Sequence, residues 1–176
     1  MDTAAPVHVP LSERINFRMI TFAALLLVLI GLPVYWYLDA ALTGGVKDVG
    51  GGYKEVDLKA MSNFIFDQKN GTLEDVPKKW RDLAGQKVIL YGEMWQPNMA
   101  GNRIGNFELV YSIAKCCFSG PPQVQHFVKA NVVDGKEVGY YDGLVRVTGT
   151  LHVDVKKAEG KVERVYELDV ESVEPV

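Results

Sequence analysis

A chain of 176 residues has room for one ordinary domain and an appendage, not for two large domains. Its hydrophobic share of 48% and charged share of 23% are near globular averages, and a net charge of −3 leaves no basic footprint for a nucleic acid. The average hides one uncharged segment, which decides the class of the protein.

Met1 to Arg18 reads as a short unstructured tail with Pro6 and Pro10, and residues 1–18 form the first expected unit. Residues 19–38 then run MITFAALLLVLIGLPVYWYL without a charge, between Arg18 and Asp39. At ~1.5 Å per residue that stretch spans the ~30 Å hydrocarbon core, and a proline such as Pro33 is tolerated in a membrane helix. Tyr35, Trp36 and Tyr37 form an aromatic cluster for the headgroup level, with Arg14 and Arg18 at the opposite end. A cleaved leader usually has a shorter apolar region of ~7–15 residues, and a lipid anchor needs a cysteine just after the apolar run, where this chain has none. The expectation is an uncleaved single-pass anchor. The nearby arginines place its N-terminus in the cytoplasm and the rest in the periplasm of a bacterial inner membrane.

Thr43-Gly44-Gly45 and Gly50-Gly51-Gly52 lie within residues 39–52, which read as a flexible glycine-rich tether, so the exported domain is expected over 53–176. Val56 to Asp67 mixes helical spacing (Leu58, Met61, Ile65) with a strand-like Asn63–Asp67. Glu74 to Leu83 reads as a short helix with acids and Pro77 in its first turn and Gly85 as its stop. Five strands follow, at 87–94, 107–111, 127–132, 144–153 and 165–170, several with apolar and polar residues alternating. Gly92 and Gly149 fit bends at barrel corners. The fold class expected is mainly β with short helices (α+β): a transmembrane helix plus a small OB-like barrel of five antiparallel strands.

The one unusual local sequence is Lys115-Cys116-Cys117-Phe118-Ser119-Gly120-Pro121-Pro122, expected as a strand end followed by a rigid turn. The vicinal cysteines have three readings: ligands for a soft metal, zinc or copper, with His126 or His152 as third donor; a strained disulfide; or two small buried thiols. Neighbouring side chains on a strand point to opposite faces, and strong zinc signatures separate their cysteines, so the structural reading weighs most. No nucleophile elbow or phosphate-binding glycine loop is present, and the acidic residues are scattered, as on a solvated surface. Trp80 and Trp95 read first as packing residues and second as walls of a ligand groove.

Asp75-Val76-Pro77, Leu83-Ala84-Gly85-Gln86-Lys87-Val88, Gly92-Glu93-Met94-Trp95 and the Cys-Cys-Phe stretch together resemble a family of uncharacterised, exported, membrane-tethered bacterial domains with an OB-like core. The resemblance covers roughly the last hundred residues and implies fold and location rather than an activity. Ser119 departs from that pattern, where a glycine is expected. A fainter likeness is to the haem chaperone of cytochrome c maturation, also an anchored OB barrel. The end of this chain, Val170 to Val176, lacks the histidine that such haem attachment uses.

The functional expectation is therefore a non-enzymatic accessory subunit that stabilises a larger membrane complex (respiratory, photosynthetic or transport), with membrane lipid and other membrane subunits as its partners. The rival reading is a membrane-anchored metal or haem chaperone that uses Cys116, Cys117 and His126, with zinc, copper or haem as its cargo.

Overall fold

A computed structural model describes residues 17–96, 102–118 and 121–176. Arg14 lies outside them, as do the side chains of Trp36, Cys116 and Cys117. The chain divides into two compact units, Met1–Thr43 and Gly44–Val176.

Helix α1, Phe17–Thr43, contains Pro33 and carries neither an acid in its first turn nor a base in its last. Its stretch Phe17–Tyr35 is long and apolar enough to cross a membrane, a test that a signal sequence also passes, and none of it is buried against protein. Tyr35 and Tyr37 are exposed. The helix runs past Leu38 into residues expected to be tether.

In the second unit, the remainder of that tether is mostly strand. Strands β1 (Val46–Gly50) and β2 (Tyr53–Val56) pair antiparallel around Gly50, Gly51 and Gly52, all of which have left-handed φ angles. The glycine triplet is thus a hairpin turn, a conformation that glycine adopts at little steric cost. Helix α2, Leu58–Ser62, is capped by the Asp57 carboxylate, which accepts from the Lys59 and Ala60 amides. The expected helix at 74–83 is split into a 3₁₀ turn, Leu73–Asp75, and helix α3, Lys78–Arg81. Pro77 causes the split by holding Val76 in an extended conformation.

The strands β3 (Lys87–Trp95), β5 (Asn106–Val110), β6 (Val128–Val132), β8 (Leu144–Ala158) and β9 (Lys161–Pro175) match the five expected. Between them come β4 (Arg103–Ile104) and β7 (Val138–Gly139), which pair with each other, and helix α4, Ile113–Phe118. The large sheet has seven strands in the order β1-β2-β3-β5-β6-β9-β8, and β8 also pairs with β3. That last pairing closes β3, β5, β6, β9 and β8 into a ring.

The all-antiparallel expectation is corrected here: β6 runs parallel to β9, and β2 runs parallel to β3. A closed ring with an odd number of strands cannot alternate direction at every step, so at least one pair must be parallel. Inside the ring lie Leu90, Met94, Leu109, Ala130, Val147, Leu151, Tyr166 and Leu168, all essentially solvent-free. Trp80 of α3 is 1% exposed and belongs to the same core, the packing role first expected of it.

Candidate binding groove

Alternation along each strand sends one residue outward for each one sent into the core. The strand registers then set the outward residues in transverse rows. Trp95 of β3 faces Glu108 of β5, Glu108 faces Lys129 of β6, Lys129 faces Glu167 of β9, and Glu167 faces His152 of β8.

The middle of this row is half-buried because the segment from Pro122 to Phe127 folds over it, leaving a groove of about 260 Å³. Trp95 and Phe127 form one wall, with ring centroids 5.9 Å apart and planes tilted by 53°. Glu108, Lys129, Glu163 and Arg164 supply charge, and Pro122 and Val124 add apolar surface.

The two carboxylates of the row are treated differently. Glu167 accepts from Lys156 at 2.5 Å and from Arg164 Nη1 at 2.6 Å. Partial burial opposes ionisation of Glu167, but these two cations with Lys129 hold its carboxyl below the ordinary range. Glu108 has no hydrogen bond or ion pair within 4 Å among the described residues. Burial raises its pKa, and the fields of Lys129 and Arg164 offset this only in part. Arg164 is committed elsewhere, with Nη2 on Glu163 at 3.1 Å and a buried Nε that has no partner among the described residues.

A second feature adjoins this groove along the Pro122–Phe127 segment. Gln125, 1% exposed, donates from Nε2 to the Phe64 carbonyl at 3.1 Å and to Gln123 Oε1 at 2.6 Å. Gln68 donates to the Phe66 carbonyl at 3.0 Å and to Gln125 Oε1 at 2.9 Å, and its own oxygen accepts from the Val124 amide at 2.9 Å. All four amide hydrogens of the two glutamines are used, so the network is satisfied and stiff. The carbonyls on both sides of Ile65 are held by it, yet the Ile65 side chain is 99% exposed. Beside Ile65 is a pocket of about 340 Å³ lined by Ser62, Asn63, Gln123 and His126 along with the loop's apolar residues.

Of the expected site residues, His126 ends the 3₁₀ turn Val124–His126. Burial lowers its pKa, favouring the neutral ring, and its Nδ1 is buried without a partner among the described residues. Cys116 and Cys117 lie in helix α4, not at a strand end, and the Glu93 carboxylate accepts the Ile113 amide at the start of that helix at 2.7 Å. Among the described residues no three His, Cys, Asp or Glu side chains gather as a metal site. His152 is committed to Asp169 at 2.8 Å on the outer face of the β8–β9 hairpin. Arg18 and the tyrosines at 35 and 37 belong to α1.

Sequence reasoning passed over Glu108, Lys129, Phe127 and Arg164. Their strands were legible, and the half-polar alternation marked Glu108 and Lys129 as outward, but only the register brings them together.

No protein-family model matches this chain. No curated protein matches it either. Among solved structures, a crystal structure of a DUF3299 family protein from Pseudomonas aeruginosa aligns with 68% of this chain and 78% of its own. The identity is 19% and the TM-score 0.44, a likeness too slight to argue from.

Proposed function

We propose that this protein is a non-enzymatic, single-pass protein of the bacterial inner membrane, with its N-terminus in the cytoplasm and its β domain in the periplasm. It acts there as an accessory subunit that binds and steadies a larger membrane complex. The length of α1 and the arginines at 14 and 18 support the anchor and its orientation. The ring of five strands with a single parallel pair supports an OB-like barrel.

The observation that carries the accessory role is the groove over Trp95, Glu108 and Lys129. Its volume of about 260 Å³ is below the ~300–1,000 Å³ of typical cofactor and substrate pockets, and suits a side chain or a short segment of a partner. The walls are an aromatic pair and a carboxylate without a hydrogen bond, which a partner's donor completes.

The test is purification of the tagged full chain from its own membranes in mild detergent, with mass spectrometry of subunits and metals. Stoichiometric membrane subunits that are weakened by Trp95→Ala support the proposal. A solitary chain overturns it.

A second reading, metal or haem handling, is favoured by the unpartnered Nδ1 of His126. It requires about one bound metal or haem per chain in the same preparation, lost on Cys116→Ser.

A further inference from the structure

Within the groove, one charge is left unmatched. Glu108 is half-buried, and its carboxylate accepts no hydrogen bond among the described residues, although an ionised carboxylate has room for about four. Burial raises its pKa, as for a charge that has lost water without gaining a full replacement.

The other charges around it are already matched to one another. Arg164 gives Nη1 to Glu167 and Nη2 to Glu163, and Lys156 closes on Glu167 as well. Lys129 stands between Glu108 and Glu167 in the transverse row, and its field works against protonation of both. On its other side Glu108 faces no cation but Trp95, which is half-buried against Phe127. Aromatic faces carry negative partial charge and attract cations. The open space is therefore bounded by a carboxylate that lacks donors and by two rings of the same electrostatic preference.

We infer that the group entering this groove is a basic side chain of the partner polypeptide, its cationic head donating to Glu108 and lying against the Trp95–Phe127 wall. Arginine is the better match. A planar guanidinium stacks on an indole while directing two N–H groups at one carboxylate, and it sheds water more readily than an ammonium. The inference deepens the accessory-subunit reading and rests on it for the existence of a partner.

Other occupants fit the charges less well. An incoming carboxylate would compete with Glu108 and Glu167 for Lys129, and with Glu163 and Glu167 for Arg164, while lying against electron-rich rings. An apolar side chain would bury Glu108 further and bring it no donor. A neutral amide brings a donor but leaves the charge uncompensated.

The chemistry of the groove is tested first without the partner. The chain has three tryptophans, so isotope labelling of their indole nitrogens gives three signals for the full chain in detergent, and Trp95→Phe identifies the one from the groove. The amide of N-acetylarginine is titrated to about 100 mM, against the corresponding glutamine and glutamate derivatives at matched ionic strength. The expected result is a saturable shift of the Trp95 signal with the arginine derivative alone, with a Kd on the order of 1–30 mM. Binding should weaken about tenfold or more in Glu108→Gln, which keeps the shape and loses the charge. Lys129→Met, which removes the competing cation, should bind as tightly as the wild type or more tightly. No shift, a comparable shift with the glutamine or glutamate derivative, or indifference to Glu108→Gln overturns the inference.

Purification of the complex then separates the inference from the reading beneath it. Membrane subunits that are retained by the wild type and lost about tenfold with Glu108→Gln support both. Subunits retained equally by Glu108→Gln overturn the inference and leave the accessory role standing. A chain that purifies alone removes the accessory role, whatever the Trp95 signal reports.

Discussion

Replacing Gly149 by alanine tests the ring at its tightest point. Gly149 sits in β8 between β3 and β9, opposite Val88 on one side and Val170 on the other, where the β8–β9 register shifts. A Cβ built there is 2.2 Å from the Asp169 carbonyl oxygen and 3.2 Å from Leu168 Cγ. Carbon and carbonyl oxygen normally approach to about 3.3 Å, so β8 and β9 must part by about 1 Å. Both obstacles near 3 Å or less are backbone atoms of a paired strand, which cannot rotate away as a side chain would.

The cost combines overpacking, about 1–3 kcal/mol, with one or two weakened ladder hydrogen bonds at about 1 kcal/mol each. Reduced freedom of the unfolded chain returns about 0.5–1 kcal/mol. A net loss of about 2–4 kcal/mol corresponds to a fall in Tm of roughly 10 °C for a unit of this size. Gly85→Ala is the matched control, since Gly85 has φ +75° and open space around it. Its cost is conformational alone, about 1 kcal/mol. The assay is thermal unfolding of the full chain in mild detergent, read by tryptophan emission, to which buried Trp80 contributes. A Gly149→Ala protein that melts within about 2 °C of the wild type, or no lower than Gly85→Ala, refutes the steric argument.

Two further outcomes follow from side chains described above. Gln125→Leu leaves the Phe64 carbonyl and a Gln68 amide hydrogen without partners, so the domain should lose about 2 kcal/mol or more, and hydrogen exchange in residues 63–68 should accelerate. Unchanged exchange there would show that the network does not stiffen the loop. For Glu108, folding raises the pKa above 4.5, so the native state binds the proton more tightly than the unfolded chain. Its contribution to stability therefore falls as pH rises from about 4.5 through the raised value, in the field of Lys129, Arg164 and Glu163. Glu108→Gln should melt at the same temperature as the wild type or higher at pH 7, with the difference closing toward pH 4. A lower Tm at pH 7 contradicts the reading of Glu108 as an incompletely compensated charge.

The strands of the ring were legible because alternation of apolar and polar residues survives in a half-buried strand. Their neighbours were not, since Glu108 reads the same whatever lies across from it. The groove therefore emerges only when register sets Trp95, Glu108 and Lys129 in one row. The Gly50–Gly52 run misled in a different way, because a glycine cluster signals freedom whether the chain uses it for a tether or for a tight hairpin turn. The split at Pro77 was present in the sequence, as the restriction on the residue before proline, but was outweighed by helix-start signals. Ile65 had helical spacing with Leu58 and Met61, and nothing local distinguishes a helical core position from a supported knob. That distinction depends on Gln125, far along the chain.

The closed ring also fixes an order of events. The strands β3, β5 and β6 can pair as soon as they are synthesised, but each outer edge of that meander waits for the β8–β9 hairpin, β3 for β8 and β6 for β9. Both closures join residues distant in sequence, so they are slow relative to the local turns. Until then the intermediate presents two open strand edges and the apolar face of Leu90, Leu109 and Ala130, which is a template for aggregation. For the membrane-anchored protein proposed above, such half-built sheets would meet one another in two dimensions rather than three.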